Sequence, residues 1–210
     1  PRLGRYLRDL IRKNNGSIDI WLCIETEEFD GKCPIITGVL PNKGDSKEEV
    51  VLVGHPFEQG AIDNASGCGL RLELARSLIH LFRQGKLPLP KRRIRLLFAF
   101  EVGGTEFYAW HYQDRGKKVV TVIELDSIGE NHIKCRAPLG IRLTPLYSPS
   151  FLDGFAITLL QEFGFTKQKD FSGWQKLPSL KILQDIGTSD ADRIAFLNRA
   201  PAIRFANANY

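Results

Sequence analysis

The sequence predicts an α/β domain in which a mixed, largely parallel sheet is flanked by helices. Two observations predict this fold: short continuous apolar runs recur along the chain, and segments with helical periodicity separate them. Such runs are typical of strands buried on both faces, and strands that alternate with helices form parallel sheets covered on both sides. With 210 residues and 43% hydrophobic content, one domain over residues 1–210 is expected.

The first part of the chain is predicted to form a helix and then a β-hairpin. Apolar residues from Leu3 to Ile11 recur at helical spacing, and Asn14-Asn15-Gly16 ends the helix. Ile18–Thr26 and Cys33–Leu40 are β-rich runs joined across Asp30-Gly31, a favourable hairpin turn. We expect the hairpin to add antiparallel edge strands to the sheet.

The rest of the chain alternates between buried strands and helices. The long helix carries its apolar residues on one stripe, as a helix packed on a sheet does. The predicted strands are Val50–Gly54, Ile94–Phe100, Val119–Leu125 and Ala202–Phe205, and the predicted helices are Ala65–Phe82, Thr105–Tyr112, Phe151–Phe163 and Ala191–Leu197.

Charge and hydropathy argue against two classes of partner. The net charge is +5, but the densest basic cluster, Lys91-Arg92-Arg93 with Arg95, lies where a loop enters a strand and has no interleaved aromatic residues. This pattern indicates a solvated surface rather than a nucleic-acid site. No apolar run is long enough to span a bilayer, so no membrane partner is expected. The sequence does not indicate the oligomeric state.

The four cysteines include no CxxC pair, which argues against a structural zinc site and against a disulfide framework. Their spacing favours a reduced, cytoplasmic setting. Because the chain begins with Pro1 rather than Met, we expect the native start to lie upstream.

Four residues that can bind a metal are predicted to lie at one edge of the sheet. His55, Glu101 and Asp126 follow three of the buried strands, and Asp63 lies just before the first long helix. Ligands of such sheets bind outside the carboxyl ends of the strands. Imidazole and carboxylate are the usual ligands of a catalytic zinc, and a loop aspartate such as Asp63 can bridge two ions.

Each of these residues also has an ordinary structural explanation. Asp63 could cap the helix that follows it, and Asp126 could cap a turn. His55 could bond to the backbone, and Glu101 could pair with an arginine. Four such residues at one edge would bury several like charges together, however, which is costly unless a cation neutralises them. Their joint occurrence therefore predicts a metal site.

The segment GAIDNASGCGLRLELARSL resembles the signature of the zinc aminopeptidase family that also includes glutamate carboxypeptidase and the glutaminyl cyclases. The resemblance implies that Asp63 bridges two zincs and that His55 binds one of them. It also implies that Asp126, in IELDSIGEN, binds the other. The segments FEVGGTEFY, TPLYSPSF and GTSDADRIAFLNRAPAIRF are similar to the bacterial and archaeal aminopeptidase-like branch of that family, and the resemblance covers about residues 33–210.

Three positions depart from the family's pattern. Most members carry two adjacent glutamates, a general base and a zinc ligand, where this chain has Phe100-Glu101, so Glu101 is expected to be either one. The family's His-x-Asp, whose aspartate orients the histidine, is replaced by His55-Pro56-Phe57. The family's last zinc ligand is a histidine after the final strand, which we expect just beyond Tyr210. In GTSDADRIAF, Asp190 is expected to cap a helix, and the alternative is that its carboxylate orients a loop near the substrate.

The resemblance implies a zinc-dependent aminopeptidase that holds one or two Zn²⁺ ions and acts on a peptide substrate. Zinc lowers the pKa of bound water, and Glu101 is the best candidate for the catalytic base that passes the proton to the leaving amine. Two alternatives stay open. One is a glutaminyl-peptide cyclase with a single zinc. The other is a degenerate, metal-free domain that serves as a binding module, as this fold does in the transferrin receptor.

Overall fold

The computed structural model describes residues 2–113, 118–131, 134, 139–162, 181–183, 192–196 and 200–207. The chain divides into two compact units, Pro1–Lys32 and Cys33–Tyr210. The first unit contains helix α1 (Arg2–Lys13), as the apolar spacing predicts. Helix α1 ends just before Asn15 and Gly16, which adopt positive φ angles of 53° and 88°, a common way to terminate a helix.

The predicted strand Ile18–Thr26 is wrong. Residues 17–35 contain no strand, and Trp21 is 87% exposed. A β-rich run becomes a strand only where another strand accepts its backbone hydrogen bonds, and an isolated two-stranded hairpin is marginal in water. Of the two predicted hairpin strands, only Ile36–Val39 forms, and it pairs with a strand much later in the chain.

The second unit contains a seven-stranded mixed sheet within the described residues. Its spatial order is 1-3-2-4-7-5-6, with the four central strands parallel to one another and the first and fifth antiparallel to their inner neighbours. The predicted largely parallel sheet is therefore confirmed. The strands are β1 (Ile36–Val39), β2 (Glu48–Gly54), β3 (Arg93–Phe98), β4 (Lys118–Leu125), β5 (Leu139–Arg142), β6 (Lys181–Leu183) and β7 (Ala202–Asn207).

The helices of this unit are α2 (Ala65–Arg83), α3 (Gly103–Gln113), α4 (Phe151–Glu162) and a short 3₁₀ helix (Asp192–Phe196). The last replaces the predicted α-helix Ala191–Leu197, whose two end residues lie outside the described part of the chain. Strands β5 and β6 were not predicted. Among the described residues, no helix combines the length and apolar character needed to cross a bilayer.

Strand β2 lies at the centre of the unit and is buried on both faces. Val51 and Val53 pack in one apolar cluster with Phe196, whereas Leu52 packs in another with Ala75. This alternation follows from the two-residue period of a strand. Because both faces are packed, the carboxyl end of β2 is held firmly in position.

Candidate metal centre

The carboxyl ends of β2, β3 and β4 meet at one edge of the sheet. The strands run parallel in register, so that Gly54 pairs with Phe98 and Val53 pairs with Glu124. The residues that follow, including His55 and Asp126, therefore emerge side by side. This edge brings together the predicted ligands.

Asp63 reaches the same edge from the loop before α2. The residue that caps α2 is Asn64, not Asp63: the Asn64 side chain accepts a hydrogen bond from the Gly67 backbone N–H at 3.1 Å. Asn64 also donates to the backbone carbonyl of Leu125 at 3.2 Å, which ties the start of α2 to the end of β4. The Asp63 carboxylate is thus available to face His55.

His55 is 1% exposed and has a carboxylate on each ring nitrogen. Nε2 lies 3.1 Å from Oδ1 of Asp63, and Nδ1 lies 3.0 Å from Oδ2 of Asp192. Two further carboxylates approach the ring, with Glu58 at 3.9 Å from Nε2 and Glu101 at 4.0 Å from Nδ1. The imidazole is therefore the centre of the cluster.

Two overlapping sets of residues could hold a metal ion. One is His55 with Asp63 and Asp126, and the other is His55 with Glu58 and Glu101; within each set the ligand atoms lie within 4.8 Å of one another. The four residues predicted from the sequence are therefore neighbours. Glu58 is a further candidate ligand that was not predicted from the sequence.

The charges at this site perturb two pKa values. Burial is the largest influence on His55 and lowers its pKa, but the hydrogen bond to Asp192 and the charges of Asp192, Asp126 and Glu101 raise it, to about 9 overall. Burial also raises the pKa of Asp126, an effect that Arg204 opposes and that the nearby Asp63 carboxylate reinforces. Buried carboxylates thus crowd together here.

A second layer of charge lies beneath the site. Glu124, on β4, is fully buried, with Arg193 Nε at 3.5 Å and Arg204 Nε at 4.0 Å. Burial raises the pKa of Glu124 to about 7 despite the two arginines. Arg204 also donates to Asp126, so the arginine on β7 neutralises part of the charge of this carboxylate.

Sequence reasoning missed three residues of this cluster: Glu58, Asp192 and Arg204. Glu58 lies three residues after His55 in the same loop, and that spacing could have identified it. Asp192 is separated from its partner His55 by 137 positions, so no local signal connects them. Asp190, for which a helix-capping role was expected, lies outside the described residues.

The donor set fits a divalent cation such as zinc. One imidazole nitrogen and several carboxylate oxygens converge, and these are the ligands found at catalytic zinc sites. The carboxylates of Asp63 and Asp126 stand close together in a largely buried place, where their mutual repulsion is costly unless a cation lies between them.

Comparison with known proteins agrees with the fold. The family model for peptidase family M28 matches residues 36–177. No curated protein has a sequence that matches this chain significantly. Three solved structures illustrate the similarity: the LapA aminopeptidase of Legionella pneumophila, a glutaminyl cyclase of Bacteroides thetaiotaomicron and a Zn-dependent exopeptidase of Parabacteroides distasonis.

These three structures are 15%, 20% and 15% identical to the chain, with TM-scores of 0.55, 0.52 and 0.56. They match 82%, 84% and 83% of this chain, but the chain spans only 46%, 64% and 64% of their lengths. At such identity the likeness shows the fold alone. The family model, in contrast, matches well over half of the chain, and the chain therefore belongs to peptidase family M28.

Proposed function

We propose that this protein is a metal-dependent aminopeptidase that removes N-terminal residues from peptides. The observation that carries the proposal is the arrangement around His55, where the carboxylates of Asp63, on Nε2, and of Asp126 lie within 4.8 Å of a buried imidazole. Membership of a peptidase family and similarity to exopeptidase structures support the same conclusion.

His55, Asp63 and Asp126 are the residues that would hold the metal, with Glu101 as either a further ligand or the catalytic base. A zinc ion bound there would polarise the scissile carbonyl and lower the pKa of the attacking water. The binding of one or two Zn²⁺ ions is part of the proposal.

Glu101 is suited to proton transfer. Its side chain is 28% exposed, so it can reach both solvent and a bound substrate, whereas the other carboxylates on His55 are more buried or lie on an open loop. A carboxylate in this position would accept the proton of the attacking water and pass it to the leaving amine.

The negative charge of the site favours binding of the N-terminus of a peptide. The α-amino group of a peptide is positively charged at neutral pH, and exposed Glu58 together with Glu101 gives the rim of the site a negative charge. Attraction of that ammonium group to the rim would hold the first residue of a peptide and limit cleavage to the N-terminus.

The test combines two measurements on the full-length protein: metal content by elemental analysis, and hydrolysis of aminoacyl-anilides. Bound zinc together with anilide release is the expected result. One zinc with pyroglutamate formation and no hydrolysis would favour the cyclase, which similarity to a glutaminyl cyclase structure supports. If no metal bound after zinc was supplied at neutral pH, the only remaining hypothesis would be the degenerate, metal-free binding module.

Asp63→Asn tests the ligand assignment. The variant should lose its zinc and its activity with little change in the melting temperature of the metal-free form. Asn64 still caps α2, and relief of the repulsion between Asp63 and Asp126 offsets the lost contact with His55. Asp153→Asn is the matched control: this carboxylate bonds to Thr144 beyond the carboxyl end of β5, at the opposite edge of the sheet. A variant at Asp63 that kept zinc and activity would show that the assignment is wrong.

A further inference from the structure

Asp192 is a completely buried carboxylate that joins three elements of the fold. Its Oδ2 lies 3.0 Å from Nδ1 of His55. Its Oδ1 accepts the backbone N–H of Val102 at 3.1 Å and the hydroxyl of Thr105 at 2.7 Å. Its own backbone N–H donates to Oε1 of Glu124 at 2.9 Å, which fixes the 3₁₀ helix against β4.

We propose that Asp192 is the positioning residue of this site. It holds His55 with the proton on Nδ1 and with Nε2 facing Asp63, and it holds the turn that carries Glu101. This inference rests on the proposed function, because the orientation of His55 matters to an ion bound at Nε2. The neighbours of His55 along the chain, Pro56 and Phe57, have no polar side chain to do this.

The tautomer of His55 follows from hydrogen-bond chemistry. A neutral imidazole has one N–H, and an ionised carboxylate can only accept. Carboxylates lie at both ring nitrogens, but Asp192 is fully buried, whereas Asp63 is 18% exposed and can turn to solvent or to a metal. The buried Asp192 carboxylate therefore favours the proton on Nδ1, which leaves the lone pair of Nε2 for a metal. A carboxylate behind a histidine ligand also fixes the plane of the ring.

The same carboxylate supports the turn after β3. Val102 has a φ of 53°, which is rare for a β-branched residue because its side chain crowds the backbone there. The hydrogen bonds that Asp192 accepts from Val102 and Thr105 hold this conformation. Glu101 precedes Val102 directly, so Asp192 fixes the backbone from which the Glu101 side chain projects.

Asp192→Asn separates these two roles because the amide has the shape of the carboxylate. Its oxygen can still accept from Val102 and Thr105, but its NH₂ group faces Nδ1 of His55 and donates. The proton of the neutral imidazole must then move to Nε2, where it blocks metal binding. We expect zinc affinity, measured by chelator competition, to fall about 10- to 100-fold.

A second readout does not depend on metal. ¹⁵N NMR spectra of the zinc-free protein, at a pH well above the pKa of about 9 where His55 is neutral, report which ring nitrogen carries the proton. The wild type should show mainly protonated Nδ1, because Asp192 is fully buried whereas Asp63 on Nε2 is 18% exposed. Asp192→Asn should show protonated Nε2.

Two controls remove hydrogen bonds without changing the tautomer. Asp153→Asn perturbs a carboxylate that accepts the backbone N–H of Thr144 at 2.8 Å at the opposite edge of the sheet. It should lower the melting temperature, yet keep zinc affinity within about threefold of the wild type. Thr105→Val removes one donor to Asp192, and its zinc-free ¹⁵N spectra should match those of the wild type because the carboxylate on Nδ1 is kept.

An Asp192→Asn variant with wild-type zinc affinity, or with the proton still on Nδ1, would overturn the inference. If the wild type itself bound no zinc, the proposed function would fail. In that case the ¹⁵N spectra alone would decide: a proton moved to Nε2 supports the role of Asp192, and an unmoved proton rejects it.

Discussion

His55 combines a strand-end position with deep burial and two carboxylate partners. Its ring lies between Asp63 on Nε2 and Asp192 on Nδ1. A buried imidazole between two carboxylates binds a proton tightly, and the pKa of His55 is about 9. A metal must displace that proton, since only the neutral ring can act as a ligand.

Zinc affinity should therefore depend on pH. Below pH 9 a proton and zinc compete for His55, so the apparent association constant should rise about tenfold for each pH unit and level off above the pKa. Chelator competition between pH 7 and pH 10 measures this dependence. A constant affinity between pH 7 and pH 9 would show that His55 is not the ligand or that its pKa is ordinary.

Asn64 illustrates how neighbouring residues divide their roles. It caps α2 and donates to the Leu125 carbonyl, which leaves Asp63 for the site. Asn64→Ala should cost roughly 1–2 kcal/mol of unfolding free energy through loss of the cap. Asn64→Asp keeps a capping oxygen, but it loses the donor to Leu125 and buries a further carboxylate beside Asp63, so it should cost more. Urea unfolding of the metal-free proteins measures both, and an Asn64→Ala variant as stable as the wild type would contradict the capping role.

Helix α2 approaches the end of β4 very closely at its first turn. A Cβ at Gly67 would lie 2.1 Å from the Leu125 carbonyl oxygen and 2.2 Å from Oδ1 of Asn64. A Cβ at Gly69, two residues later, would meet nothing within 4 Å. The glycine in the DNASG segment therefore lets the helix start against the strand, which brings Asp63 close to Asp126.

Gly67→Ala and Gly69→Ala form a matched pair on one helix. Gly67→Ala should push α2 away from β4, lower the unfolding free energy by several kcal/mol and weaken zinc binding. Gly69→Ala should raise the unfolding free energy by about 0.5–1 kcal/mol, because alanine is the better helix former. Urea unfolding measures both, and similar effects of the two substitutions would contradict the close approach.

The individual elements differ in how well local sequence predicts them. Strands β2, β3 and β4 contain continuous apolar runs, which are typical of strands buried on both faces of a sheet. They formed where expected. β5 and β6 are short and lack such a run, so their formation depends on neighbouring strands. Ile18–Thr26 has the composition of a strand but no partner among the described residues.

At the scale of the whole molecule, buried charges connect distant segments. Glu124 from β4, Arg204 from β7 and Arg193 from the 3₁₀ helix lie together beneath the metal centre. Each is 4% exposed or less. Such a cluster contributes to specific packing of these segments only when its charges stay balanced.

The stability of the metal-free protein should depend on pH through Glu124. Its pKa is raised from 4.5 to about 7, so between these values the folded state keeps a proton that the unfolded state releases. This contribution is fully present below pH 4.5 and is lost as pH rises through 7, by roughly 3 kcal/mol in total. Urea unfolding of Glu124→Gln at pH 5, 6 and 7 should show a smaller decline than the wild type. An identical decline would exclude Glu124 as its source.

Local pattern was sufficient to predict the central parallel strands, the main helices and the convergence of His55, Asp63, Glu101 and Asp126. Apolar runs and helical periods are short-range properties, and parallel strands necessarily bring their carboxyl ends to one edge. Their roles as metal ligands stay predictions until zinc binding is measured.

Tertiary structure alone decided which groups stand behind that edge. Asp192 reaches His55, and Arg204 reaches Asp126, across large separations in sequence. Such partners are chosen by the packing of the 3₁₀ helix and β7 against β4, which no local pattern encodes. Burial then determines the pKa values of these groups, because the cost of a buried charge depends on all of its neighbours in space.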